Sequence, residues 1–183
     1  MKKILLVGLA ALGMMSLTGC EMIQGLINGE KKYNEADFKV LIADKHFAFS
    51  VTKCHGVRDV NGEKTERDYT YDSSDGAWHY TYMENIGGTE FEAEGSLYLD
   101  VINDVKDCDS ISKLVKQSVD SIFKFYTTKD GFKITANYQT DDQKTELKFL
   151  YNSDGLATSR YSKTTFLDSV KSTEKTETFT YSN

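Results

Sequence analysis

The chain has 183 residues, and 22 Lys and Arg against 28 Asp and Glu give it a formal net charge of −6. Hydrophobic residues make up 39% of the sequence and aromatic residues 12%, which is enough to fill the core of one domain. A charged fraction of 27% argues against wholesale disorder and against a protein that crosses a membrane many times. The basic residues form no cluster that would neutralise phosphates, which argues against a nucleic-acid-binding protein.

The N-terminal twenty residues are organised like a secretory signal peptide. Lys2 and Lys3 precede an uncharged run at 4–17, which is shorter than the roughly 20 residues that a membrane-spanning helix needs. Residues 17–20 read Leu-Thr-Gly-Cys and resemble the lipobox of bacterial lipoproteins. The resemblance implies cleavage after residue 19 and a diacylglyceryl group on Cys20. An ordinary secretory signal followed by a free thiol is the alternative.

The lipoprotein resemblance divides the chain into a cleaved signal peptide at 1–19, a lipidated tether at 20–32 and a single β-rich domain at 33–183. Without the signal peptide, 20 basic residues face the same 28 acidic ones, a net charge of −8. Anionic lipid repels such a body. We therefore expect the lipid on Cys20 to make the membrane contact, since two acyl chains hold more firmly than one. The implied location is extracytoplasmic, on the bacterial cell membrane or outer membrane.

Two further cysteines, Cys54 and Cys108, remain if Cys20 carries lipid. Outside the cytoplasm a disulfide between them is the first expectation, and it would close a loop of about 55 residues worth roughly 4 kcal/mol. Two unpaired buried thiols are the alternative. A zinc site is not expected, because Cys54 and His55 are adjacent and would point to opposite faces of a strand.

Strand-like alternation fills most of the chain. The sequence contains no proline, so Gly, Asn and Asp must form the turns between segments rich in Tyr, Phe, Val and Thr. The residues that alternate at a period of two are Phe47, Phe49 and Val51; Tyr69 and Tyr71; Trp78, Tyr80 and Tyr82; Phe91 and Ala93; Leu97, Leu99 and Val101; Phe132, Ile134, Ala136 and Tyr138; Leu147, Phe149 and Tyr151; Leu156 toward Tyr161; and Phe179 and Tyr181.

Two segments have helical spacing instead. Asn34 followed by Asp37 has the pattern of an N-terminal cap, which predicts a short helix near 34–45. A longer amphipathic helix is predicted with acidic residues Asp107 and Asp109 near its N-terminus. Its apolar face comprises Ile111, Leu114, Val115, Val119, Ile122 and Phe123.

These elements predict an α+β fold: a large curved antiparallel sheet of about eight or nine strands, with one long amphipathic helix and a short N-terminal helix. A sheet this large must curl. The element order over residues 33–183 resembles the half-barrel of lipoprotein-carrier and lipid-binding lipoprotein families. The resemblance implies a half-barrel or open barrel whose helices cover an apolar concavity.

No enzyme motif is present, so the sequence predicts a non-catalytic protein with no catalytic, cofactor-binding or metal-ligating residues. The three histidines, His46, His55 and His79, are expected on the surface or on strands. Glu90, Glu92 and Glu94 are expected on the solvent side of one strand. The segment 72–76 lacks the ligand pattern of a calcium loop and is expected to form a turn.

The remaining candidate site is an aromatic stripe formed by Trp78, Tyr80 and Tyr82, which either lines a ligand site or fills the core. The preferred hypothesis is a lipid-anchored binding protein of the cell envelope that holds an apolar small molecule or lipid against the sheet. The first alternative is a protein-interaction or structural surface module that uses a sheet edge or exposed aromatic residues. A less favoured alternative is an envelope hydrolase.

Overall fold

Ten strands hydrogen-bond side by side in one antiparallel sheet. The structure is a computed structural model that describes residues 29–45, 50–169 and 171–183. The strands are β1 (Lys31–Tyr33), β2 (Lys53–Val60), β3 (Glu63–Asp72), β4 (Ala77–Ile86), β5 (Thr89–Leu97), β6 (Phe123–Thr128), β7 (Gly131–Gln139), β8 (Gln143–Asn152), β9 (Ala157–Phe166) and β10 (Ser172–Ser182). The helices are α1 (Glu35–Ala43), α2 (Val101–Leu114) and α3 (Val119–Ile122).

The strand order is β1-β6-β7-β8-β9-β10-β2-β3-β4-β5, so β1 and β5 form the two edges and the sheet is open. The α+β class and the large antiparallel sheet predicted from the sequence are confirmed, with ten strands rather than eight or nine. Lys31 and Lys32 already pair with β6. The sheet therefore begins before residue 33, where the sequence analysis placed the start of the domain.

Tight turns made by Asn and Gly, residue types expected in the turns, join neighbouring strands at two places. Between β2 and β3, Asn61 and Gly62 have φ values of 53° and 92°, and between β4 and β5, Gly87 and Gly88 have 61° and 89°. Two successive residues with positive φ match a type I′ turn, whose twist suits a two-residue hairpin. Gly and Asn adopt positive φ at the lowest steric cost.

One face of the sheet, here called the inner face, carries the core side chains. The registers of β6 to β10 place Phe125, Ile134, Phe149, Arg160 and Glu177 in one row across this face. Side chains alternate between faces along each strand, so residues two positions away share the same face. The inner face is the one on which the helices pack.

Helix α1 is anchored to the inner face by Phe38, which is fully buried. The Phe38 ring centroid lies 5.1 Å from that of Phe125 and 6.0 Å from that of Phe132. Asn34 caps the helix, and its side chain accepts a hydrogen bond of 2.8 Å from the Asp37 backbone N–H. The short helix predicted near 34–45 is confirmed.

The prediction of a long helix on the face from Ile111 to Phe123 is wrong. Helix α2 begins after the N-terminal cap Asp100, whose side chain accepts a 2.9 Å hydrogen bond from the Asn103 N–H. The helix ends at Leu114, which is 75% exposed. Lys116, with φ of 53°, turns the chain out of helical geometry. The apolar residues that follow belong to α3 and to β6.

Two strand predictions need correction at their boundaries. Leu97 ends β5, and Val101 already lies in α2, so the predicted strand across Leu97, Leu99 and Val101 is wrong. The Asp100 cap ends the extended segment. Of the strand predicted from Phe47 to Val51, residues 47–49 lie outside the described residues, and Val51 lies just before β2.

Candidate functional site

A cleft of about 340 Å³ lies between α2 and the inner face of the sheet. We call it the α2 cleft. Its lining residues are Asp104, Asp107, Cys108, Ile111, Phe123, Tyr138, Leu147, Phe149, Arg160, Tyr161, Ser162, Lys175 and Glu177. The volume falls within the range of about 300–1,000 Å³ that is common for small-molecule sites.

The strand registers explain why apolar and charged side chains meet in this cleft. Leu147 pairs with Ser162, and Phe149 pairs with Arg160, on the neighbouring strands β8 and β9. Because paired residues in an antiparallel ladder point to the same side, all four side chains face α2. The result is a wall that is apolar along β8 and polar along β9.

The polar part of the cleft is built around the buried carboxylate of Asp104. Arg160 Nη2 donates to both Asp104 oxygens, at 2.7 Å to Oδ1 and 2.6 Å to Oδ2. The Tyr151 hydroxyl donates to Oδ2 at 2.7 Å. Arg160 Nη2 also donates to the Tyr98 carbonyl at 2.7 Å. A carboxylate on α2 is thereby tied to β8 and β9, and the buried charges are paired as burial requires.

Burial and charge pairing together shift the pKa values of Asp104, Arg160 and Tyr151. Burial raises the pKa of Asp104, opposed by the Arg160 charge and the hydrogen bonds from Tyr151 and Arg160. Burial alone would lower the pKa of Arg160, but the Asp104 carboxylate raises it above its ordinary value. Burial and the Asp104 charge also raise the pKa of Tyr151, so this hydroxyl stays a donor.

Arg160 retains hydrogen-bonding capacity. All of its described hydrogen bonds come from Nη2, and its buried Nε has no partner among the described residues. A guanidinium carries five N–H donors in a planar fork. The cleft therefore offers apolar surface from Leu147 and Phe149 next to a cation with unused donors, an arrangement suited to an amphipathic molecule.

The predicted aromatic stripe is divided between core and surface. Trp78 is 1% exposed and packs against Tyr71 and Tyr181, with ring centroids 5.2 and 5.3 Å away. The hypothesis that Trp78 faces a ligand is therefore wrong, because neighbouring rings enclose it. Tyr80 and Tyr82 are half-buried on the same face, beyond the helices. None of the three lines the α2 cleft.

Arg67 covers the outer two rings of the stripe. Its guanidinium carbon lies 4.7 Å from the Tyr80 ring centroid and 5.8 Å from that of Tyr82. A cation above an aromatic face is attracted by the ring quadrupole. Tyr80 and Tyr82 are thus partly covered by a side chain of the same face.

The two cysteines of the described residues, Cys54 and Cys108, are free and buried. The first expectation, a disulfide, is thus corrected in favour of two buried thiols. Each sulfur has its own surroundings: Cys108 Sγ donates to the Asp104 carbonyl at 3.2 Å, whereas Cys54 lies on β2 beside the Tyr181 hydroxyl. Burial raises the pKa of Cys54 to about 12 and also raises that of Cys108. Both groups are therefore protonated, unreactive thiols.

One potential metal-ligating group lies in the described residues at the turn between β3 and β4. Ligand atoms of Asp72, Asp75 and His79 lie within 4.8 Å of one another. The Asp72 carboxylate accepts from the Ser74 N–H at 2.7 Å, and Asp75 accepts from the Ala77 N–H at 2.9 Å. These are hydrogen bonds of the kind that acidic side chains make within turns, as predicted for this segment.

Sequence reasoning missed Asp104, Tyr151 and Arg160 as a unit. Once α2 is known to start at Val101, Asp104 falls on the same helical face as the buried Val101 and Val105. An acidic residue on a core-facing helical face signals a buried partner. The wrong helix boundary concealed that signal.

The lipobox residues 17–20, including Cys20, and His46 lie outside the described residues. No helix in the described ranges is both long enough and apolar enough to cross a membrane. Comparison with models of protein families and with curated proteins found no match for this chain.

Proposed function

We propose that this protein is a non-catalytic lipoprotein of the bacterial cell envelope, anchored through lipid on Cys20, that binds a small apolar ligand with one polar end. The α2 cleft is the proposed binding site. The supporting observation is the apolar wall of Leu147 and Phe149 beside Arg160, whose guanidinium retains unused donors.

Burial of apolar surface would supply most of the binding free energy, at roughly 25 cal/mol per Å². The polar end of the ligand would accept a hydrogen bond from Arg160, which would fix its orientation in the cleft. We further propose that the sheet curves around the helices as a half-barrel. In this arrangement α2 covers the ligand from one side and the strands enclose it from the other.

The anchor and the ligand are tested separately. Cys20→Ala should move the protein from the membrane fraction to the soluble fraction, and continued membrane association would contradict the lipid anchor. Native mass spectrometry of protein from its own host, followed by solvent extraction, should find one bound amphipathic molecule. An empty protein would contradict the ligand-binding proposal.

A pair of variants on one helix assigns binding to the cleft. Ile111 lines the α2 cleft, whereas Leu114 is 75% exposed on the same helix. With the dye 1-anilinonaphthalene-8-sulfonate as an amphipathic probe, Ile111→Trp should weaken binding by about tenfold or more, because one bulky side chain fills the space. Leu114→Trp should leave the dissociation constant unchanged. Equal effects of both variants would place the probe elsewhere.

A further inference from the structure

Strand β5 is a long edge of the sheet. It is the last strand in the order, and its nine residues from Thr89 to Leu97 pair with β4 in an uninterrupted register. No described strand pairs with its other side. The opposite edge, β1, has only three residues. Long edges are uncommon without protection, because unpaired backbone N–H and C=O groups can bind another strand.

The charges along this edge have a single sign. Glu90, Glu92 and Glu94 alternate on the outer face, all three are exposed, and none forms an ion pair with a described residue. The whole hairpin, residues 77–97, contains no Lys or Arg. A strand added beside β5 would therefore meet three carboxylates in a row, spaced two residues apart.

The other side of β5 is apolar. Phe91 is 50% exposed and shares the inner face with Ala93 and Gly95. Tyr82 pairs with Ala93 and extends this apolar strip onto β4. An added strand would therefore find acidic partners for one set of alternate side chains and apolar partners for the other set.

Self-association through this edge is unfavourable. In a continuous antiparallel sheet formed by two copies, paired residues lie on the same face, so the glutamates of one β5 would oppose those of the other. Like charges placed directly opposite each other destabilise strand pairing. The row of glutamates therefore disfavours pairing with a second copy of the protein and favours a strand that carries positive charges.

We propose that the free edge of β5 binds an extended segment of another protein in which Lys or Arg alternates with apolar residues. The segment would add an eleventh strand, with backbone hydrogen bonds supplying affinity and the three glutamates supplying specificity. This site lies apart from the α2 cleft and does not depend on the ligand proposed there.

The test uses the full chain in detergent and a fluorescein-labelled nine-residue peptide of alternating Lys and Val. Fluorescence anisotropy should detect binding that weakens by about tenfold or more when Glu90, Glu92 and Glu94 are all changed to Gln, since each opposite-charge pair contributes modestly. The matched control changes exposed acids of other strands, Glu63, Glu66 and Glu174, to Gln. It has the same net charge and should bind as the wild type does.

Two further measurements separate strand addition from general charge attraction. A peptide with Pro in place of every Val lacks about half of the backbone N–H donors. Its affinity should therefore be lower by about tenfold or more. Hydrogen exchange should show new protection confined to residues 89–97. No binding at millimolar peptide, equal weakening by both triple variants, protection elsewhere, or a dimer of the protein formed through β5 would each overturn the proposal.

Discussion

The hydroxyl of Tyr151 donates a 2.7 Å hydrogen bond to Asp104 Oδ2, although 47 residues separate the two in the chain. Arg160 contacts the same carboxylate from the neighbouring strand. One buried anion therefore fastens α2 to the sheet and also forms the polar end of the α2 cleft. Stability and the proposed binding site share this group.

Arg160→Met should destabilise the fold strongly. The change leaves Asp104 buried without its cation, and breaking a buried ion pair in this way costs about 3–5 kcal/mol. Urea unfolding measures the loss. The matched control is Lys163→Met, because the Lys163 side chain is 43% exposed and its Nζ lies 3.9 Å from Glu174, a pair expected to contribute less than about 1 kcal/mol.

A double variant separates the contribution of the ion pair from that of side-chain packing. Asp104→Leu combined with Arg160→Met removes both charges, so it should lose less stability than Arg160→Met alone. If Arg160→Met and Lys163→Met lose the same amount, or if the double variant is the less stable one, the buried pair does not act as described.

Two glycines on different strands, Gly56 on β2 and Gly95 on β5, should respond differently to the same substitution. A Cβ at Gly56 would lie 2.7 Å from Tyr69 Cε2 and 3.3 Å from Phe179 Cδ1, and both rings are buried. Gly56→Ala should therefore cost about 1–3 kcal/mol through overpacking. A Cβ at Gly95 would also come close to a ring, at 2.6 Å from the Tyr80 hydroxyl oxygen, but Tyr80 is only half-buried. Because a half-buried ring can shift more easily than two buried ones, Gly95→Ala should cost less.

Thermal unfolding of the two alanine variants compares these costs directly. The midpoint of Gly56→Ala should lie several degrees below that of Gly95→Ala, since about 1 kcal/mol shifts the midpoint of a domain of this size by roughly 2–4 °C. Equal midpoints would show that Tyr69 and Phe179 yield as readily as Tyr80 does.

The hairpins were predictable because their signals are local. Asn61 with Gly62, and Gly87 with Gly88, stand between alternating segments, and the structure places tight turns at both. Helix α1 was predictable for the same reason, since its cap and its buried Phe38 lie within one turn of each other. Each element depends on residues close together in sequence.

The remaining features depend on distant partners. Strand β1 has only three residues, and its place in the sheet comes from pairing with β6, some 90 residues further along the chain. The Asp104 group joins three elements that no short window contains. The helix boundary was predicted wrongly because the apolar residues after Lys116 continue the helical spacing but lie in α3 and β6. Periodicity alone does not separate these elements.

The cysteine pair gives a direct test by thiol counting. In a Cys20→Ala protein, Cys54 and Cys108 should react with Ellman's reagent after denaturation in guanidinium without any reductant. In the folded state near pH 8 both should be nearly unreactive, because burial raises the pKa of Cys54 to about 12 and also raises that of Cys108. Absence of free thiols in the denatured, unreduced protein would contradict this and restore the disulfide.

His55 should titrate above its ordinary pKa of 6.5. Its Nδ1 lies 2.8 Å from Asp68 Oδ1 on the paired strand, and this hydrogen bond is the largest cause of the raised pKa. Glu66 contributes less, with 3.8 Å between its Oε2 and His55 Nε2. Proton NMR of the imidazole ring should give a midpoint above 6.5 in the wild type and a lower one in Asp68→Asn. Glu66→Gln should have the smaller effect.

The raised pKa of His55 also sets the sign of a pH effect on stability. A histidine with a raised pKa in the folded state adds stability that is fully present below its unfolded pKa and is lost as the pH rises through its folded pKa. The difference in urea midpoint between wild type and Asp68→Asn should therefore be larger at about pH 5.5 than at about pH 9. An identical His55 midpoint in both proteins would show that Asp68 does not stabilise the imidazolium.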